Sequence, residues 1–234
     1  MSFVIESAGV DALHVEFTAA PSAALTAQLC QMAAQLEQQF KAILLDITIG
    51  WDSLLIQYDM QRVGYSELYD RLMQWCTQWL EQATGVEPSA VNDSGVLALP
   101  VLYDGEDLQD VARHCGLASV ADVIALHSSS AFYVGAIGFA PGFAYLGGLD
   151  ERLTLPRRSS PRARVPAGSV AIAAGQSALY PQASPGGWHL LGRCPLTLFD
   201  PVAQPMSPFH VGRQVRCYPV DDAEFQALQG RSAV

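Results

Sequence analysis

Ile43-Leu44-Leu45-Asp46-Ile47-Thr48-Ile49-Gly50-Trp51-Asp52-Ser53-Leu54-Leu55-Ile56-Gln57-Tyr58 carries the clearest structural signal in the first half of the chain. Ile43, Leu45, Ile47 and Ile49 alternate at period two, Gly50-Trp51-Asp52 interrupts, and Leu54, Ile56 and Tyr58 alternate again. Alternation places one apolar face toward a core, so two strands are predicted here, able to close as a hairpin. Upstream, Ala12 to Phe17 reads as a strand. Pro21 and Ser22 then open a segment in which Leu25, Leu29, Met32, Leu36 and Phe40 recur at steps of three and four, one face of a helix. Downstream, Leu68, Leu72, Trp75, Cys76 and Trp79 share a second helical face with Ser66 placed to cap it, and Val96 to Tyr103 reads as a further strand. The order βαββαβ is that of a ferredoxin-like unit, assigned to residues 1–103.

A second domain, 104–234, begins with two short helical segments, Asp107 to Cys115 and Ser119 to Leu126, separated by Gly116. Of 14 prolines, 11 then lie between Pro141 and Pro219, and 11 of 19 glycines lie between Gly135 and Gly212. Such punctuation permits short strands and tight turns, so a closed or folded-over β domain is expected and the chain as a whole is α+β.

Composition limits the classes of function. Half of the 234 residues are apolar and 15% are charged, enough core-forming material for ordered globules and too little charge for disorder. A net charge of -10 repels phosphate backbones, so no nucleic-acid partner is expected, and any anion site must concentrate positive charge locally. Glu6 and Asp11 interrupt the first stretch, which argues against a secretory signal. The uncharged run Ser128 to Leu149 is long enough for a bilayer, but Gly135, Gly138, Pro141, Gly142, Gly147 and Gly148 break it into turns and strands, so no membrane association is expected. Cys30, Cys76, Cys115, Cys194 and Cys217 are odd in number and form no C-x-x-C, which fits a reduced, cytoplasmic protein without a zinc site.

Charge distribution is the strongest pointer to chemistry. No Asp or Glu occurs from Arg152 to Phe199, yet Arg152, Arg157, Arg158, Arg162, Arg164 and Arg193 all fall inside. A planar guanidinium binds carboxylate or phosphate in a bidentate fork, so this cluster reads as an anion patch, against the plainer reading that the arginines pair with acids from the other domain or coat a solvated strand. Two Gly/Pro-rich loops, Gly138 to Gly148 and Pro185 to Trp188, flank it, with Phe139, Phe143 and Tyr145 as apolar walls. His127 and His189 adjoin these loops and are the candidate acid–base groups, His127 the stronger, although a lone histidine is more often structural. H-E-x-x-H and G-x-S-x-G are absent, and the single lysine, Lys41, lies outside any Gly-rich loop, which excludes a Walker A cradle.

Three long words, GFAPGFAYLGGLD at Gly138 to Asp150, PRRSSPRARVPAGSVAI at Pro156 to Ile172 and YPQASPGGWHLLGR at Tyr180 to Arg193, resemble the family of 5-oxoprolinase B subunits, also described as allophanate hydrolase subunit 1 or Kip-type kinase inhibitors. Leu126-His127-Ser128 and Tyr103-Asp104-Gly105 fit it upstream. Cys194 departs from the threonine the family carries, which implies a tolerant, packed position. The resemblance implies a cyclophilin-like β-barrel after the ferredoxin-like domain. It also implies work with a C subunit, similar to allophanate hydrolase subunit 2, and with a LamB/YcsF-like A subunit in opening 5-oxo-L-proline to L-glutamate at the expense of ATP. Part of the active site would be supplied here, with ATP and Mg bound in the assembled complex. An alternative from a different class is a regulatory protein that inhibits a sensor histidine kinase by direct binding. The candidate set is then His127 and His189 as catalytic groups, with Arg157, Arg158, Arg164, Gly142, Phe143, Ser169, Gln176 and Tyr180 around the substrate anion. Phe139, Phe143, Tyr145 and Trp188 are candidates for a partner surface or for barrel core.

Overall fold

The chain starts with a hairpin that its periodicity does not announce. β1 (Phe3–Ser7) pairs antiparallel with β2 (Ala12–Phe17), so that Ile5, Leu13, Val15 and Phe17 share the buried face. Ser22 caps α1 (Ala23–Phe40) by accepting a hydrogen bond from the Leu25 N–H at 3.1 Å, and the five residues at helical spacing are all buried. β3 (Leu44–Ile49) and β4 (Ser53–Tyr58) form the expected hairpin, but a register shift between Leu44 and Asp46 turns Leu45 out of the predicted apolar face to 65% exposure. α2 (Tyr65–Ala83) starts one residue before Ser66, which therefore lies within the first turn and does not cap it. Leu68, Leu72 and Cys76 from α2 join Leu29, Met32 and Leu36 from α1 in one core over the sheet. The structure, a computed structural model, describes residues 1–83 and 95–233, in two units, Met1–Asp93 and Ser94–Val234.

The strand expected last in the first unit belongs to the second. β5 (Leu97–Val101) pairs in parallel with a strand near the C-terminus, and Leu97, Leu99 and Val101 enter that unit's core. The first sheet therefore runs β1-β2-β4-β3, with β1 occupying the edge that the sixth element of a βαββαβ unit would fill. The division between residues 93 and 94, instead of after Tyr103, follows from this pairing. An alternating strand carries no information about which sheet it will join.

The second unit contains α3 (Leu108–His114), α4 (Val120–Ser129), β6 (Phe132–Ile137), β7 (Ala144–Gly147), a 3-10 turn at Glu151–Leu153, β8 (Arg162–Val165), β9 (Ser169–Ala173), β10 (Gln176–Leu179), β11 (Ser184–Gly186), β12 (His189–Arg193), β13 (Gln214–Pro219) and α5 (Asp222–Leu228). Seven strands form one sheet in the order β12-β9-β10-β7-β6-β13-β5. Its two edges meet just beyond β5, where Leu102 and Arg193 exchange both backbone hydrogen bonds at 2.9 Å, so the sheet nearly closes as a barrel. β8 and β11 make a separate two-stranded ribbon. The uncharged run Ser128 to Leu149 thus supplies β6 and β7, and among the described residues no helix is long and apolar enough to cross a membrane. Cys194 is buried, as its departure from the resemblance implied.

Closure leaves no room for a side chain at the seam. A Cβ on Gly192 would stand 2.2 Å from the Leu102 carbonyl oxygen, a backbone atom that cannot swing away. Gly192→Ala is expected to destabilise the second unit by about 3 kcal/mol through overpacking. Gly116→Ala, at a positive φ with nothing within 4 Å, should cost about 1 kcal/mol through backbone strain alone. Urea unfolding of the two variants checks the ranking, and equal midpoints would contradict the seam.

Candidate functional site

The acid-free stretch finds its acids upstream, in the turn before α3. Asp107 is 3% exposed and accepts hydrogen bonds from Arg158 Nη1 at 2.7 Å, from Arg162 Nη2 at 2.8 and 2.9 Å, and from the Leu190 N–H at 2.7 Å. Its carboxylate is fully used, which explains why it stands at the N-cap of α3 without capping it. Burial alone would push this carboxyl up, but hydrogen bonds from Arg162 and Leu190 and the charges of Arg162 and Arg158 hold it below the usual carboxylate range. Glu106 takes the Nε of Arg162 at 2.7 Å, Asp104 pairs with Arg193, and Asp150 with Arg152. Four of the six arginines are therefore matched by acids of the same unit, and Arg158 belongs to this network instead of facing an anion. Among the described residues, Arg157 and Arg164 have no acidic partner.

Arg157 lies over the Trp188 ring at 6.0 Å from its centroid. Beneath it the rings interlock: Phe143 packs edge-on to Tyr145 at 4.8 Å and to Tyr180 at 5.2 Å, and Tyr145 meets Trp188 at 6.0 Å. Edge-to-face packing at these separations fixes each ring. The Tyr180 hydroxyl is raised in pKa by burial and by neighbouring Tyr145, while Arg157 and Arg162 pull it the other way, so the phenols and guanidinium groups share one field. The structure thus brings Phe143, Tyr180 and Arg157 together, with Gly142 preceding Phe143 in its loop. Ser169 adjoins Tyr180, whose N–H donates to the Ser169 carbonyl at 2.9 Å. Gln176 is at the other end of β10, roughly 13 Å along an extended strand from Tyr180. Arg164 is exposed on the β8 and β11 ribbon. Phe143 and Trp188 are core residues, whereas Phe139 is 63% exposed.

His127 is placed differently from the expectation of a proton donor at the substrate. It is wholly buried at the end of α4, with Nδ1 2.8 Å from the Tyr103 hydroxyl and Nε2 2.9 Å from Ser177 Oγ. Ser177 gives its own proton to the Ala171 carbonyl, so Nε2 donates to Ser177 and Nδ1 accepts from Tyr103. Both nitrogens are committed within the core, and the imidazole bridges α4, β10 and the end of β5. His189 places Nε2 3.0 Å from the Pro156 carbonyl, which ties β12 to the arginine loop. Asp107 and Ser177 escape a reading of the sequence, and Tyr103 enters it only as the end of a strand and part of a turn. Asp107 opens α3, and an acid opening a helix is so ordinary that it conceals a second role.

Burial drives the His127 imidazole down to about 3, whereas an unfolded histidine titrates near 6.5. As pH falls, the unfolded chain therefore binds this proton first. The stabilisation is complete above pH 6.5 and is lost progressively toward pH 3, by roughly 5 kcal/mol over that window. In His127→Gln the slope of unfolding free energy against pH should be flatter by about one proton between pH 6 and 4. Parallel slopes in the two proteins would contradict the buried neutral imidazole.

Comparison with known proteins identifies the family. Residues 3–209 match the family described as carboxyltransferase domain, subdomain C and D. The chain is 33% identical over 239 residues to the B subunit of 5-oxoprolinase from Bacillus subtilis (strain 168), covering 98% of each protein. It is 46% identical over 145 residues to the B subunit of 5-oxoprolinase from Escherichia coli O157:H7, a match spanning 61% of this chain and 64% of that one. Among solved structures, TTHA0988 is similar with TM-score 0.73 and 33% identity, over 90% of this chain and 40% of its own. PH0987 of Pyrococcus horikoshii is similar with TM-score 0.54 and 36% identity, over 95% of this chain and all of its own. The Kluyveromyces lactis urea carboxylase shares the fold, with TM-score 0.74 and 20% identity over 96% of this chain and 22% of its own. An α+β chain with a nearly closed barrel, matched over 98% of its length by the Bacillus subtilis protein, belongs to the family of 5-oxoprolinase B subunits within the carboxyltransferase domain, subdomain C and D.

Proposed function

We propose that this chain is the B subunit of an ATP-dependent 5-oxoprolinase, converting 5-oxo-L-proline to L-glutamate, and that it supplies part of an active site completed by the C subunit, with the A subunit in the same assembly. The observation that carries this reading is the agreement with the Bacillus subtilis protein of that name across 98% of both chains. The chemistry of the arginine loop supports it. 5-Oxoproline is a carboxylated lactam, and phosphorylation of its amide would add further negative charge. Arg157, held over Trp188 without an acid, and Arg164 on the ribbon are the cations left to meet such a ligand.

The residues present do not make a cradle for Mg and ATP on this chain alone. Among the described residues no group of three His, Cys, Asp or Glu could hold a metal. Asp104, Glu106 and Asp107 are each occupied by an arginine.

Reconstitution with homologues of the A and C subunits tests the reading. Glutamate release from 5-oxoproline should require ATP and the complete set, with the isolated chain inert. Arg157→Ala should lower turnover of the assembly about tenfold or more, as loss of one charge-assisted contact does. Glutamate release by this chain alone, or no release from the full set, would overturn the proposal.

A further inference from the structure

We infer that the loop Gly138–Gly142, together with the loop that follows Phe199, forms the docking surface for the separate polypeptide that completes the enzyme, with Phe139 as its central anchor. This rests on the B-subunit reading and names the surface through which the chain joins its assembly.

Four observations converge on these loops. Phe139 is 63% exposed and adopts φ 71°, a backbone conformation that side chains other than glycine rarely take. Strain of this kind persists only where the surroundings impose it, and here nothing is gained by burial of the ring. The loop is also held rigidly: Gly138 N–H donates to the Phe143 carbonyl at 3.2 Å, Phe143 N–H to the Ala140 carbonyl at 2.9 Å, and Phe139 leans edge-on against buried Phe143 at 5.2 Å. An aromatic side chain presented in a fixed pose has already lost the freedom that binding would otherwise remove.

Phe139 is not alone. Gly142 packs so tightly on Phe199 that a Cβ there would meet the Phe199 Cβ at 2.6 Å, which joins this loop to the next. That second loop carries Val202, 88% exposed, and Met206, 53% exposed, whose carbonyl accepts from the Asp200 N–H at 2.8 Å. Ile137, at the end of β6, adds to the group. Apart from Val96, the exposed large hydrophobic residues of the described second unit are these four. The segments that present them, 137–142 and 201–206, contain no charged residue. An apolar, uncharged, partly strained surface fits a permanent interface with an apolar concavity and does not fit a transient, charge-steered one.

The occupant follows from the architecture of the relatives. The same fold occurs as a whole chain in PH0987 and as 40% of TTHA0988, so the longer protein carries in one polypeptide a further region that this chain would meet as a partner. The partner is therefore a different polypeptide of the assembly, the C-subunit homologue, and not a second copy of this chain.

The experiment measures binding of the full chain to the purified C-subunit homologue from the same cell by calorimetry at low and high salt, with sizing of each protein alone. The wild-type chain should bind with an affinity that changes little with salt. Phe139→Ala and Val202→Ser should each weaken binding, Phe139→Ala by about 30-fold or more as for an anchor residue. Phe139→Gly should lose the same affinity while the thermal midpoint of the isolated chain stays level or rises, because glycine relieves the positive φ. Unchanged affinity in all three variants overturns the surface and leaves the B-subunit reading standing. Normal binding with reduced turnover in the assembly overturns it in favour of contact with substrate. A wild-type homodimer that Phe139→Ala dissociates overturns it in favour of self-association. Failure of the wild-type chain to bind the C-subunit homologue removes the B-subunit reading itself.

Discussion

One buried carboxylate organises the second unit. Asp107 accepts two hydrogen bonds from Arg162, one from Arg158 and one from the Leu190 backbone, so the start of α3, the arginine loop, β8 and β12 converge on two oxygen atoms. Asp107 N–H returns a bond to the Leu190 carbonyl at 3.3 Å, which seats this turn against β12 close to the Leu102 and Arg193 seam. Burying a charge is unfavourable unless its partners are excellent. Removing one partner from such a network typically costs about 3 to 5 kcal/mol, because the others are left uncompensated. The constraint is thus sharp, since none of these segments can shift without stranding a charge.

The same clamp divides the arginines by role. Arg158 and Arg162 face inward and cross-link, and Arg157, between Pro156 and Arg158, is turned outward over Trp188. Asp107 and Glu106 balance the charges of Arg158 and Arg162, which leaves Arg157 and Arg164 as uncompensated positive charge on a chain of net charge -10. Beneath Arg157 the interlocked Phe143, Tyr145, Tyr180 and Trp188 rings form a rigid floor. In the proposed assembly, this fixed floor, a free cation and an uncharged loop presenting Phe139 make up one half of a site, and a second polypeptide brings the other.

Much of this is legible in the sequence, and the limits have physical causes. Period-two and period-three-to-four spacing marks β2, α1, β4 and α2 because each buries one face, and it marks β3 even though a register shift exposes Leu45, while Pro and Gly density announces the short strands of the second unit. β1 escapes notice, since Phe3-Val4-Ile5 lacks alternation, and β5 looks like part of the first sheet, since pairing partners leave no mark on a single strand. Charge counting finds the arginine cluster but not its division, because Asp107 lies 51 residues before Arg158 in sequence and meets it only in the fold. His127 looks like an acid–base group from its neighbourhood, while its total burial depends on Tyr103 and Ser177, which are 24 and 50 residues away.

The architecture of the second unit hinges on the coupling of Asp107 to its arginines, and a double-mutant cycle with Asp107→Asn and Arg162→Met, read by chemical unfolding of that unit, measures it. Each single change should be strongly destabilising and the two together should cost far less than their sum, with a coupling of about 3 kcal/mol or more. Additive effects within about 0.5 kcal/mol would show instead that the barrel seam and the arginine loop hold their places without the buried carboxylate.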